Sequence, residues 1–239
     1  MFRLDFRRLL SVARQEIGAA SALLIVALGA TAFLAIADEV AEGETHALDL
    51  AVLSALRVDG RPGTLVGPEW LHIAATDVTA LGSVTVLGLV ILLAFALLAC
   101  LRRWGEGVLL VAGAGGGLLI SQGLKLLFGR ERPEMAFRAV EAVNASFPSG
   151  HAMLSAVVFL TLGVLAARFS ERRRVKALAI GAAVLLSLLV GASRIYLGVH
   201  WASDVLAGWC VGGAWAMACW LIAYLVRRRI RPPSASDAT

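Results

Sequence analysis

Eight residues in this chain could hold a phosphate and cleave it: Lys125, Arg132, Ser149, Gly150, His151, Arg194, His200 and Asp204. Three fixed cations suit a phosphoryl group, because a guanidinium donates to two oxygens at once and an ammonium supplies a point charge. Ser149, Gly150 and His151 stand at the start of an apolar run, after NASFP. A helix beginning there offers free N–H groups and the positive end of its dipole, and both favour an anion. Gly150 lets backbone approach a ligand closely, and Pro148 keeps the helix from growing backwards over the site. His200 and Asp204 lie four residues apart. The carboxylate can accept a hydrogen bond from one imidazole nitrogen and leave the other as a nucleophile, the orienting logic of a catalytic triad. His151 is then the second, proton-donating histidine.

Each residue alone has an ordinary explanation. Lys125 and Arg194 could snorkel to headgroups, Ser149 could be only an N-cap, and His200 with Asp204 could be a structural pair. Their coincidence at one end of four apolar runs is what those explanations leave out. Ionisable groups at membrane depth are expensive and invite a functional reading.

The elements that must position these groups are membrane helices. The chain has 239 residues, 59% of them hydrophobic and 16% charged, and its mean hydropathy is +0.81. Those values exclude an ordinary soluble domain. Six apolar runs are long enough to span, at about 17–37, 80–101, 107–128, 150–168, 175–195 and 203–226, given that roughly 20 residues cross a bilayer. No proline interrupts them. The fold class expected is therefore all-α, a polytopic membrane protein of six transmembrane helices forming a single domain over 1–239, with a motif-bearing core at 107–226.

The formal net charge of +5 does not point to nucleic acid. Its basic residues form clusters between apolar runs: Arg3, Arg7, Arg8 and Arg14; Arg102 and Arg103; Arg168, Arg172, Arg173, Arg174 and Lys176; and Arg227, Arg228, Arg229 and Arg231. Six spans put all four clusters on one side, which the positive-inside rule makes cytoplasmic, as it does both termini. The candidate site then faces the extracytoplasmic side, which is periplasmic in a bacterial inner membrane. Segment 38–79 faces that side too and is rich in Asp and Glu. Within it HALDLAVLSALR (46–57) has Leu48, Ala51, Val52 and Ala55 near helical spacing, expected as an amphipathic helix on the outer surface before Pro62, Gly63 and Pro68 break it. Ala35-Ile36-Ala37 resembles a signal-peptide cleavage site, but the run before it is longer than a signal core, so a retained helix is expected. GAGGG at 113–117 lies mid-membrane and is expected to serve close helix packing. Cys100, Cys210 and Cys219 read as buried hydrophobes, not as a disulfide framework or a metal site.

Three stretches carry a resemblance: KLLFGRERP from Lys125 to Pro133, PSGH from Pro148 to His151, and SRIYLGVHWASD from Ser193 to Asp204. Together they resemble the three motifs of the type-2 phosphatidic acid phosphatase superfamily, KxxxxxxRP, PSGH and SRxxxxxHxxxD, with every defining position filled. The resemblance spans 125–204, about a third of the chain. It implies a membrane lipid phosphatase in which His200 attacks phosphorus, Asp204 holds His200, and His151 protonates the leaving oxygen and then activates water. Lys125, Arg132, Ser149, Gly150 and Arg194 would bind the phosphoryl oxygens. The family works without a metal, so no cofactor is expected. The partners expected are a lipid phosphate or pyrophosphate substrate and membrane lipids. Undecaprenyl pyrophosphate is the favoured substrate, with phosphatidylglycerol phosphate, phosphatidic acid or transfer to another lipid as alternatives. A non-enzymatic lipid-phosphate binder or transporter is the competing class, and the presence of His151, His200 and Asp204 argues against it.

Overall fold

The computed structural model describes residues 6–142 and 144–230, and side chains from residue 17 to residue 229. Arg3, Arg231 and the side chains of Arg7, Arg8 and Arg14 fall outside the described residues. The chain runs through α1 (Phe6–Glu42), α2 (His46–Ala55), a hairpin of β1 (Arg57–Val58) and β2 (Arg61–Leu65), α3 (Glu69–Ala80), α4 (Val84–Cys100), α5 (Trp104–Phe128), a single 3₁₀ turn (Met135–Phe137), α6 (Gly150–Arg168), α7 (Arg173–Tyr196) and α8 (Ala202–Ile230).

Among the described residues, five helices are long and apolar enough to cross a membrane: Ile17–Glu42 of α1, α5, α6, α7 and most of α8. A sixth span is counted if α3 and α4, bent by 53° at their junction, are taken as one. The run at 80–101 is thus shorter as a helix than its hydropathy implied. Leu81–Ser83 break the chain, and Ser83 caps α4 by accepting the Val86 N–H at 3.2 Å, a bond that fixes the helix start. The break at 58–68 is more ordered than its Pro and Gly content implied, because 57–65 pair as an antiparallel ribbon. Helix α1 continues through Ala35-Ile36-Ala37, and Ala37 packs with Phe147 and Ala207.

Helix α6 is the central post. More than half of its apolar window is buried inside the protein (56%), against 6% for α1. Small residues make this possible by letting helix backbones approach, which is how membrane helices gain contact when lipid is as apolar as they are. A Cβ on Gly212 of α8 would lie 3.0 Å from Ala156 Cβ of α6, and one on Gly163 of α6 would lie 2.7 Å from Ala183 Cβ of α7. Gly113, Gly116 and Gly117 serve the same end, whereas Gly115 is exposed and faces open space. Trp215 of α8 lies against Gly116 and Gly117, and its indole N–H donates to Gly113 O at 2.7 Å. The outward faces carry exposed Leu23, Leu28, Leu92, Leu93, Leu119, Leu126, Leu178 and Leu185, a surface suited to lipid tails.

Helix α2 forms where its amphipathic spacing implied. Leu48, Ala51 and Ala55 are exposed, while the adjoining face buries Asp49 and Leu53 in the protein.

Candidate active site

Four helix ends converge. Helix α5 terminates at Gly129, whose φ of +56° is readily adopted by glycine and whose N–H returns to Lys125 O. That turn sends Arg130 and Arg132 back across the end of the bundle. Helix α6 begins at Ser149, α7 ends just past Arg194, and α8 begins just before Asp204. The Ser149 N–H donates to the Asp204 carbonyl at 2.9 Å and so ties the starts of α6 and α8 together.

Asp204 and His200 are almost wholly buried. Oδ2 of Asp204 lies 3.2 Å from His200 Nδ1, accepts the Trp201 N–H at 3.0 Å, and accepts the Ser146 hydroxyl. Oδ1 accepts Arg130 Nη1 at 2.6 Å. On the other side of the imidazole, Nε2 lies 3.2 Å from Arg132 Nη1. A guanidinium only donates, so Nε2 is the acceptor and Nδ1 carries the proton toward Asp204. Burial pushes His200 down to about 3, outweighing the hydrogen bond and charge of Asp204, which raise it. The imidazole is therefore neutral near neutral pH, with its Nε2 lone pair directed at the cations.

Those cations lie around the pair. Arg132 donates from Nε to Asn144 O at 2.9 Å and from Nη1 to Val199 O at 2.6 Å. Lys125 Nζ donates to Ala145 O and passes Gly150 closely, since a Cβ there would sit 3.7 Å from Lys125 Cε. Arg194 is 6% exposed. Its Nη1 donates to Thr79 Oγ1 at 3.1 Å, and its buried Nε has no hydrogen-bond partner among the described residues. Such an orphaned donor costs about 1–3 kcal/mol until something accepts from it. Ser149 caps α6 by accepting the Ala152 N–H at 3.5 Å. Half-buried His151 stands next to Gly82 at the α3–α4 junction, within electrostatic reach of Arg194, His200, Arg132 and Lys125. All eight residues singled out in the sequence are thus gathered at one end of the bundle.

Other residues at this end were not singled out. Arg130 lies two positions before Arg132 and joins Asp204 to Asp49 of α2, at 2.6 and 2.8 Å. Ser146 bonds Asp204, and Thr79 holds Arg194. One signal was available for Asp49: it stands four residues before Leu53, so one helical face holds an acid beside a core leucine.

A buried histidine, a carboxylate and clustered cations at one end of a helical membrane scaffold make a site suited to a phosphoryl group. The family described as the PAP2 superfamily matches residues 106–228. Phosphatidylglycerophosphatase B of Bacillus subtilis is 31% identical over 166 residues, covering 68% of this chain and 80% of that relative. An undecaprenyl-diphosphatase of Sulfolobus acidocaldarius is 40% identical over 67 residues, 28% of each chain. The crystal structure of a transmembrane PAP2 type phosphatidylglycerolphosphate phosphatase from Bacillus subtilis superposes with a TM-score of 0.70 at 27% identity, covering 90% of this chain and 98% of that one. The chain belongs to the PAP2 superfamily and is a membrane lipid phosphatase.

Proposed function

We propose that the chain removes the terminal phosphate of a membrane phospholipid through a phosphohistidine on His200. The observation that carries this reading is the placement of the buried imidazole, with Nδ1 3.2 Å from Asp204 Oδ2 and Nε2 3.2 Å from Arg132 Nη1. The Nε2 pair forms a bond to phosphorus as the P–O bond to the lipid breaks, and His151 gives its proton to the leaving oxygen. His151 then takes a proton from water, whose oxygen attacks phosphorus. The P–N bond breaks, its electron pair returns to Nε2, and phosphate leaves. Lys125, Arg132, Arg194, the Ser149 hydroxyl and the Gly150 N–H hold the phosphoryl oxygens and stabilise the charge that develops on them. The orphaned Arg194 Nε supports this role, because a phosphoryl oxygen would satisfy it.

Phosphatidylglycerol phosphate is the first substrate proposed, supported by the Bacillus relative and its extended alignment. Undecaprenyl pyrophosphate is the second, supported by the shorter match to the Sulfolobus enzyme. Basic residues at the opposite helix ends support an extracytoplasmic site, and the Bacillus relative supports a bacterial plasma membrane as its location.

The test is phosphate release by purified protein in detergent with EDTA, offered both lipids, with His200→Ala alongside. Release by the wild type alone, with an acid-labile phosphoryl adduct trapped on His200, is the expected result. An active His200→Ala protein would sink the mechanism, and the ratio of kcat/KM values chooses the substrate.

A further inference from the structure

Arg130 has one positive charge and two buried carboxylates. Its Nη1 donates to Asp204 Oδ1 at 2.6 Å and to Ser203 Oγ at 2.8 Å. Its Nη2 donates to Asp49 Oδ2 at 2.8 Å and to Thr45 Oγ1 at 3.1 Å. Asp49 is 2% exposed and lies on α2, more than 150 residues from Asp204 in sequence. An arginine beside a single carboxylate tends to grip both of its oxygens with a fork of two donors. Here Asp49 and Thr45 occupy Nη2, so Arg130 holds Asp204 through Oδ1 alone. Oδ2 stays with His200, Trp201 N–H and Ser146.

We propose that Asp49 is a positioning residue for the reaction: by holding one end of the Arg130 guanidinium, it keeps the other end on a single oxygen of Asp204 and leaves the second oxygen to orient His200. The segment between α1 and α3 therefore contributes to catalysis from outside the three motifs. This rests on the reading of His200 as nucleophile. Asp49 has a structural task as well, since at the start of α8 its Oδ1 accepts the Ser203 N–H at 2.9 Å and its Oδ2 accepts the Ser203 hydroxyl at 2.5 Å. The backbone bond separates chemically from the hold on Arg130, and combining Asp49→Asn with Arg130→Gln isolates any effect of the Ser203 hydroxyl, which would persist without Arg130. An asparagine at 49 keeps an amide oxygen for the Ser203 N–H but can turn only an NH₂ toward Arg130. Arg130 is then released to fork onto Asp204 and draw Oδ2 away from His200.

The experiment measures kcat, KM and Tm for Asp49→Asn, Arg130→Gln, the double variant and His200→Ala, with phosphatidylglycerol phosphate in detergent micelles. The expected result is a fall in kcat of about tenfold for Asp49→Asn with KM held within about twofold, the pattern of disturbed orientation. In the Arg130→Gln background the same change should alter kcat by less than about twofold, because a residue acting through another loses its effect when that other is gone. Wild-type kcat in Asp49→Asn, or a tenfold loss that persists in the double variant, overturns the proposal while leaving His200→Ala inactive. An active His200→Ala variant instead removes the mechanism itself and the proposal with it. Should Asp49→Asn fail to fold, Thr45→Val removes a different holder of Arg130 at nearly the same shape. It is expected to lower kcat about threefold, an effect absent in the Arg130→Gln background, and a wild-type rate there also overturns the proposal.

Discussion

The two ends of α5 carry basic clusters that look alike in sequence and differ in how their charges are held. At the starting end, Glu106 is buried and collects three arginines: Arg103 at 3.3 Å, Arg168 at 3.8 Å and Arg227 at 4.0 Å. Those arginines are 38–52% exposed. They share one carboxylate and reach solvent or headgroups, as topology-setting residues do. At the finishing end, Lys125 and Arg194 are 9% and 6% exposed. Their recorded partners are a carbonyl and a hydroxyl, and among the described residues neither pairs with a carboxylate. Neutral acceptors fix a cation in place without cancelling its charge. The two buried carboxylates at this end, Asp204 and Asp49, are both engaged by Arg130. Excess positive charge is thus sequestered where an anion could use it, and exposed at the end where the lipid surface meets it.

The largest test of that contrast is Asp204→Asn. It preserves shape but can no longer act as a charged acceptor for Nδ1–H, so the imidazole loses the partner that sets its tautomer. Turnover should fall by about 10⁴-fold with KM changed far less, by analogy with triad carboxylates. Steady-state kinetics on one phospholipid substrate decides it, and a pure KM effect would mean that Asp204 touches substrate. A smaller effect compares the ends directly. Arg194→Ala should lower kcat/KM by roughly 10²-fold, the scale of one lost transition-state donor. Arg103→Ala should leave kcat/KM within about twofold, because a surface pair contributes little. Equal losses in the two variants would break the comparison.

The eight candidate residues could be picked out in the sequence because the chemistry that marks them is local. PSGH and HWASD name a helix start and a one-turn histidine–carboxylate pair, and an apolar run on either side fixes their depth. The helices were legible for the same reason, through hydropathy alone. The 53° bend between α3 and α4 was not, because Leu81–Ser83 are neither proline nor a run of polar residues, and an apolar window reads across them. The hairpin at 57–65 was hidden by Pro62 and Gly63, which usually end an element. Arg57 of β1 ties the hairpin to the rest of the fold, donating to Phe137 O and Tyr196 O, contacts between residues 80 and 139 positions apart. Asp49 and Arg130 were missed for a similar reason. Each is an ordinary charged residue in its own segment, and only the fold brings them within 2.8 Å.

The smallest expected effect concerns stability. His200 is neutral in the folded protein because burial lowers it to about 3 from its ordinary value near 6.5. In the unfolded chain it would take up a proton at about 6.5. Below that pH the unfolded state binds the extra proton and the folded state does not, so the contribution of His200 to stability is complete above pH 6.5 and declines as the pH falls toward 3. The Tm of the wild type in detergent should therefore drop between pH 7 and pH 4.5, and His200→Gln, which cannot titrate, should drop less over the same interval. At the other end of α5, Arg103→Ala removes a partly exposed cation that stays charged throughout this range, so its Tm profile should run parallel to that of the wild type. Parallel curves for His200→Gln and the wild type would mean that the imidazole accepts a proton within the folded site. Nε2 would then have no free pair to offer phosphorus at acidic pH, and the fixed cations alone would account for the binding of an anion there.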